Sequence, residues 1–261
     1  MPRRPVILAY HGLGEVPREH DPHNMMLPPE RFVEQVEGLR RRGYEFLKMA
    51  DLAARLREPG DLRGVCALTF DDGSLDNHDV LPGLLERLSV PATLFVCPGL
   101  LGEPHPFTGP ESGVRLMTLE ELRAVAAHPL VEIGSHTARH TVLDDAAYDE
   151  AYEEMAGSKQ TLEAMLDEPV WSFAYPDCGY SRDSPRAAEA AGYTSAVTCA
   201  GRGGLRPYEL SRESPNRLDT RLLFALKSRG LFQPLYRSAP GRLARAAMRR
   251  RRHGRAAGRE A

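Results

Sequence analysis

The sequence predicts an α/β fold in which parallel strands and helices alternate, closed or nearly closed into a barrel of βα units. Short apolar runs rich in β-forming residues alternate with longer segments of helical periodicity. Of the 261 residues, 42% are hydrophobic and 27% are charged, which is typical of a globular protein and excludes a disordered or fibrous chain. No internal repeat or low-complexity linker interrupts residues 1–236, so we expect a single domain there.

Six short apolar runs are the predicted strands. They are Val6–Tyr10, Val65–Phe70, Ala92–Cys97, Val131–Ser135, Val170–Tyr175 and Ser195–Thr198. Strands separated by helices form parallel βα units, and six or seven such units in one domain favour a barrel. An open, doubly wound sheet is the alternative.

Five segments between these runs place apolar residues at helical spacing. They are Pro29–Arg42, Leu81–Leu88, Leu119–Ala127, Tyr148–Leu166 and Pro185–Ala191. The first of them begins at a proline, which suits the first turn of a helix. These helices complete the βα units of the predicted barrel.

The cysteines and the N-terminus indicate the compartment. Cys66, Cys97, Cys178 and Cys199 are far apart and match no zinc-ribbon spacing, so we expect incidental thiols rather than a disulfide framework. The apolar stretch 6–10 is shorter than the core of an export signal, so we expect a first strand and a cytoplasmic protein. No apolar run reaches the roughly 20 residues of a membrane-spanning helix.

The net charge of −2 conceals an acidic body and a basic tail. Residues 237–261 contain nine arginines and one glutamate, which leaves a net charge of −10 in residues 1–236. We expect this tail to be attracted to an anionic membrane, at about 1 kcal/mol per basic residue, and so to the inner membrane face. A disordered, solvated end is the alternative. Nucleic acid is disfavoured, because the body repels it and no aromatic platform accompanies the arginines.

Polar residues follow four of the predicted strands. In chain order they are His11, the pair Asp71 and Asp72, the pair His136 and His140, and Asp177 after Pro176. The active sites of βα folds lie at the carboxyl ends of the strands. We therefore expect these residues to share one rim of the barrel.

The residue types at this rim indicate a metal site. His136 and His140 are four apart, so one helical turn after the strand would place both imidazoles on one side. Two histidines and a carboxylate leave coordination positions open for water and substrate. Asp71 and Asp72 point to opposite sides of an extended chain, which predicts different roles for them. Alone, a His-x-x-x-His pattern is usually a surface helix feature and Asp-Asp-Gly a turn.

Three segments resemble the motifs of the polysaccharide deacetylases, the NodB-homology family of carbohydrate esterases. They are Leu68-Thr-Phe-Asp-Asp-Gly-Ser74, Ser135-His-Thr-Ala-Arg-His140 and Ser172-Phe-Ala-Tyr-Pro176. The opening Val6-Ile-Leu-Ala-Tyr-His11 is similar to a subgroup that begins with a Tyr-His strand. The similarity extends over residues 5–215.

The resemblance implies a distorted (β/α)7 barrel that hydrolyses an N-acetyl group on a sugar. It assigns Asp72, His136 and His140 to one divalent transition metal, with Zn²⁺ expected, and Asp71 to the general base. The metal would activate water and polarise the acetyl carbonyl. A general acid must also protonate the leaving amine.

Two parts of the sequence depart from the family pattern. The late Leu-x-x-His motif is missing, so His11 is expected as the general acid, and a buried structural histidine is the alternative. The third motif lacks its arginine, and the residues after Pro176 differ from the family pattern. The resemblance assigns Tyr175, Pro176 and Asp177 to the loop that contacts the substrate and holds the oxyanion. Arg212 is a candidate replacement for the missing cation.

The expected function is therefore metal-dependent removal of N-acetyl groups from an amino-sugar glycan or glycan precursor. A metal-dependent hydrolase of a non-sugar amide is one alternative, and a glycan-binding barrel with little turnover is another. Four histidines outside the motifs lie in polar or proline-rich loops, and we expect them to be solvated. They are His20, His23, His105 and His128.

Overall fold

The structure is a computed structural model that describes residues 4–58, 60–108, 110–199 and 205–232. The basic tail predicted at 237–261 lies outside these residues. The strands are β1 Val6–Tyr10, β2 Gly12–Leu13, β3 Met26–Leu27, β4 Glu45–Leu47, β5 Val65–Phe70, β6 Ala92–Val96, β7 Val131–Ser135, β8 Ser172–Ala174, β9 Ser195–Thr198 and β10 Leu210–Ser211. The helices are α1 Pro29–Arg41, α2 Met49–Arg57, α3 Asp76–Asp79, α4 Leu81–Leu88, α5 Leu119–Ala126, α6 Tyr148–Leu166, α7 Ser184–Ala190 and α8 Arg221–Lys227.

Seven parallel strands form the ring of a nearly closed barrel. Their order is β1-β5-β6-β7-β8-β9-β10, and β4 pairs with β5 outside this path. The chain after β10 returns to β1, where Ala9 N–H donates to Glu213 O at 2.8 Å and Glu213 N–H donates to Ile7 O at 2.9 Å. The predicted α/β barrel is confirmed.

The strands are buried on both faces, because one face packs inside the barrel and the other packs against helices. All residues of β1, β5 and β6 are buried. Helix α1 contributes Phe32, Val36 and Leu39 to the same core. Among the described residues, no helix combines the length and the hydropathy that spanning a bilayer requires.

The expectation of four incidental thiols is wrong for one pair. Cys178 and Cys199 form a disulfide with a Cα–Cα distance of 5.3 Å, whereas Cys66 and Cys97 are free and buried. The bridge joins the loop after β8 to the end of β9. These cysteines are 21 residues apart in sequence, and the parallel pairing of the two strands brings them together.

Candidate functional site

The carboxyl ends of the barrel strands bring the predicted metal ligands together. The Nε2 atoms of His136 and His140 each lie 3.6 Å from Asp72 Oδ1. One ligand atom from each of the three residues lies within 4.8 Å of the others, and among the described residues this is the group that can hold a metal ion.

The donor set fits a divalent transition ion. Both carboxylate oxygens of Asp72 are buried and have no hydrogen-bond partner among the described residues. The Nδ1 atom of His136 contacts Ala174 O at 2.8 Å, which leaves its Nε2 as the ligating nitrogen. Burial lowers the pKa of His136, although the charges of both aspartates oppose that shift, so the neutral, ligating form is favoured.

A tight turn, and not the helical turn expected from the sequence, brings the two histidines together. Thr137 and His140 both have φ of 60°, in the left-handed region. The turn packs against the loop after β6, where Gly99 N–H donates to Ala138 O at 2.8 Å. A Cβ on Gly99 would lie 2.8 Å from that oxygen, so this approach requires glycine.

Asp71, the predicted base, faces a different partner. Arg212 forms a bidentate ion pair with it, from Nη1 to Oδ1 at 2.6 Å and from Nη2 to Oδ2 at 2.7 Å. Nη1 also donates to the Thr69 hydroxyl at 3.1 Å, and the Arg212 side chain is 1% exposed. The structure thus brings Arg212 to the carboxylate that the third motif leaves without a cation.

The two aspartates are both held in the charged form. Burial raises the pKa of Asp71, but the charge of Arg212, the nearby imidazole of His136 and the hydrogen bond from Arg212 outweigh it, and the pKa is lowered. Burial also opposes ionisation of Asp72, yet its pKa is lowered by the His105 imidazole, whose Nε2 faces Oδ2 at 3.5 Å, and by the imidazoles of His11 and His136. Adjacent residues therefore stay ionised by separate means.

His11, the predicted general acid, follows β1 and is partly buried. Its main-chain oxygen accepts a hydrogen bond from Asn77 Nδ2 at 3.0 Å. A positive charge on the His11 imidazole would lower the pKa of both Asp71 and Asp72, so His11 lies close enough to act on both carboxylates.

The loop after β8 presents its backbone rather than its tyrosine. Tyr175 is buried, its N–H donates to Val197 O at 3.0 Å, and its hydroxyl donates to Tyr208 O at 3.1 Å. Pro176 has no N–H. Asp177 is exposed with φ of 49°, and its N–H has no backbone acceptor among the described residues. Of the three predicted loop residues, Asp177 therefore has the available donor.

The expectation that His105 is solvated is wrong. His105 is 3% exposed, and its Nε2 lies 3.5 Å from Asp72 Oδ2. It belongs to the connection between β6 and α5, which no motif singled out. No sequence signal distinguishes it, because the same His-Pro dipeptide at His128-Pro129 lies away from the site.

Comparisons with known proteins agree with this fold. The sequence profile of the family described as Polysaccharide deacetylase matches residues 60–196. The chain is 27% identical over 198 residues to the putative polysaccharide deacetylase YxkH of Bacillus subtilis, covering 76% of this chain. The match spans 65% of that relative's length.

Solved structures share the architecture. The Streptococcus pyogenes deacetylase PplD, solved in complex with acetate, is 24% identical with a TM-score of 0.71, over 87% of this chain and 99% of that chain. IcaB from Ammonifex degensii is 21% identical with a TM-score of 0.69, over 88% and 98%. A de-N-acetylase from Aggregatibacter actinomycetemcomitans is 15% identical with a TM-score of 0.68, over 86% and 99%. At these identities the likeness is one of fold.

Proposed function

The chain belongs to the polysaccharide deacetylase family, and on that premise we propose that it is a metal-dependent hydrolase that removes N-acetyl groups from an amino-sugar glycan or glycan precursor. The observation that carries the proposal is the convergence of Asp72, His136 and His140 beside the Asp71–Arg212 pair. A metal-binding group with an ionised carboxylate next to it suits metal-assisted hydrolysis of an unactivated amide.

Asp72, His136 and His140 would hold the ion, with Zn²⁺ the expected one because two imidazoles and a carboxylate are typical zinc ligands. When bound, such an ion polarises the acetyl carbonyl and makes water acidic enough to attack near neutral pH. Asp71, kept ionised by Arg212, accepts a proton from the attacking water. Arg212 also fixes the orientation of the carboxylate, because both of its Nη atoms are engaged.

Two further groups would complete the reaction. His11 would donate a proton to the leaving amine, a step worth about 10² to 10⁴ in rate when a positioned acid performs it. The free N–H of Asp177 would donate to the oxygen that becomes negative as the carbonyl is attacked. The third motif departs from the family pattern in its side chains, but a main-chain donor tolerates that change.

The membrane partner and the compartment stay predictions. The basic tail lies outside the described residues, and the expected attraction to anionic lipid awaits vesicle sedimentation at low salt, comparing the full chain with a chain truncated after Tyr236. A cytoplasmic location likewise remains a prediction from the N-terminal sequence.

Metal analysis and acetate release from chitooligosaccharides test the proposed function together. We expect about one divalent ion per chain, acetate release that stops on chelation, and recovery of activity when Zn²⁺ is returned. A bound metal without acetate release would favour a non-sugar amide as substrate, whereas glycan binding without turnover would favour the binding-barrel alternative. If acetate release is unchanged in His11→Ala, His11 is a structural histidine and not the general acid.

A further inference from the structure

His105 contacts the one oxygen of Asp72 that the paired histidines leave free. His136 and His140 face Oδ1 at 3.6 Å, whereas His105 Nε2 lies 3.5 Å from Oδ2. His105 is not part of the group whose ligand atoms lie within 4.8 Å of one another, so it stands behind the carboxylate rather than among the ligands.

The main chain fixes which ring nitrogen of His105 carries the proton. Phe107 N–H donates to His105 Nδ1 at 3.3 Å, so Nδ1 is an acceptor and the proton of the neutral ring lies on Nε2. That Nε2 and both oxygens of Asp72 are buried, and none has a conventional hydrogen bond to a described residue. Among the described residues, the acceptor that the Nε2–H faces is Asp72 Oδ2, which lies 3.5 Å from Nε2 and so at the outer limit of hydrogen-bond distance.

The segment that carries His105 is tied to the loop that carries Asp72. His105 N–H donates to Val114 O at 3.0 Å, and Met117 N–H donates to Gly73 O at 2.9 Å. The ring of Phe107 also packs on the ring of His140 with centroids 4.5 Å apart. One connection between β6 and α5 therefore touches two of the three candidate ligands.

We propose that His105 is a positioning residue, whose Nε2–H holds Asp72 Oδ2 and leaves Oδ1 for the metal. The proposal rests on the metal site of the proposed function. Outer partners of this kind fix the orientation of a ligand, and their loss typically weakens metal affinity about 10- to 100-fold.

The chain contains a matched control for this arrangement. In His128-Pro129-Leu130, the Leu130 N–H donates to His128 Nδ1 at 3.2 Å, and the Nε2 atom lies 3.1 Å from Glu86 Oε1. Both sites share a His-Pro dipeptide, and in both the N–H of the residue after the proline donates to the imidazole Nδ1. The difference is that Glu86 lies on the surface and has no part in the site.

Two amide substitutions separate positioning from packing. In His105→Gln, the side-chain nitrogen can take the place of Nε2 and donate to Asp72, whereas the shorter amide of His105→Asn cannot reach it. We expect Co²⁺ affinity to fall about 10- to 100-fold in His105→Asn and to stay close to wild type in His105→Gln. At saturation, the visible Co²⁺ spectrum should be that of wild type in both, because no ligand is removed. His128→Asn should bind Co²⁺ like wild type.

Binding of Co²⁺ is followed by absorbance titration of the full chain, with circular dichroism to show that each variant is folded. Equal affinity in His105→Asn and wild type, equal weakening in His105→Asn and His105→Gln, or wild-type protein that binds no Co²⁺ would each overturn the proposal. A changed Co²⁺ spectrum at saturation would make His105 a ligand instead. Tight Co²⁺ binding without acetate release from chitooligosaccharides would overturn the proposed function alone.

Discussion

The two ends of the barrel each hold a carboxylate largely removed from solvent, and the two differ in what satisfies it. At the amino-terminal end, Glu132 on β7 accepts hydrogen bonds from Ala50 N–H at 3.0 Å, from the Thr93 hydroxyl at 2.9 Å and from the Ser172 hydroxyl at 2.6 Å. At the carboxyl end, Asp72 has no conventional hydrogen bond to a described residue and faces imidazole nitrogens instead.

The directions of the two pKa shifts follow from these partners. Burial raises the pKa of Glu132, and its neutral donors do not reverse the shift. Burial opposes ionisation of Asp72 as well, but the His105 imidazole 3.5 Å from Oδ2 and the other imidazoles nearby lower its pKa. Burial alone therefore does not mark a functional carboxylate. The oxygens of Glu132 are used by the fold, whereas those of Asp72 remain available to a cation.

Neutralising the carboxylate at each end in turn should give the largest difference in stabilisation by Zn²⁺. With Zn²⁺ at 100 times its Kd, the unfolding free energy of wild-type protein should rise by about 2.7 kcal/mol. In Asp72→Asn, Zn²⁺ should raise the unfolding free energy almost not at all, and acetate release should be lost. Glu132→Gln should keep the full gain. Unfolding with and without Zn²⁺ measures this, and a full gain in Asp72→Asn would remove that residue from the metal site.

At the carboxyl end, Asp71 and Asp72 are adjacent but have different proposed roles, as base and metal ligand. Asp71→Asn removes the proposed base but no metal ligand, so acetate release should fall by about 10² to 10⁴. Its stabilisation by Zn²⁺ should match wild type. Single-turnover rates at saturating Zn²⁺ test the point, and a rate within the error of wild type would assign the base elsewhere.

Removing the cation that faces Asp71 should change the pH dependence of the reaction. In Arg212→Gln, burial still raises the pKa of Asp71 while the largest opposing charge is gone. The ionised, active carboxylate then persists only at higher pH, so the acid limb of kcat/KM should move upward. Arg212→Lys, which retains the charge without the bidentate geometry, should move it less. A limb that stays in place in Arg212→Gln would show that Asp71 does not set it.

The smallest effect is expected at the amino-terminal end. Glu132→Ala leaves the Ala50 N–H and the hydroxyls of Thr93 and Ser172 without their acceptor, at a cost of about 1 to 3 kcal/mol in unfolding free energy. Co²⁺ affinity should not change, because the site is at the other end. Denaturant unfolding and Co²⁺ titration of the same samples check both, and a loss of affinity would mean that the two ends are coupled.

Strong local periodicity allowed much of the fold to be predicted. The bounds of Tyr148–Leu166 and Leu81–Leu88 agree with the structure. Helix α2 was missed because its first turn depends on the tertiary fold: Met49 N–H donates to the Thr93 hydroxyl and Ala50 N–H to Glu132. Strand β4 was missed because three partly exposed residues give no recognisable alternation.

The sequence could predict that the rim residues lie close together, because each follows a strand and the carboxyl ends of parallel strands meet at one end of the barrel. His105 follows no strand directly. It lies within a long connection that folds back over Asp72, so its neighbour is decided by hydrogen bonds between loops, such as Leu75 N–H to Arg115 O at 2.9 Å. The partnership of Asp71 with Arg212 likewise depends on the ring closing from β10 to β1.

The bridge between Cys178 and Cys199 connects the loop of Asp177 to the redox state of the surroundings. Protein disulfides persist in oxidising compartments and are rare where glutathione and thioredoxin keep thiols reduced. The cytoplasmic location predicted from the N-terminus, if correct, would keep these two cysteines reduced. Denatured chain taken directly from cells should expose two reactive thiols, those of Cys66 and Cys97, if the bridge is present in vivo, and four if the surroundings reduce it. A count of thiols therefore reports the compartment in which this loop acquires its shape.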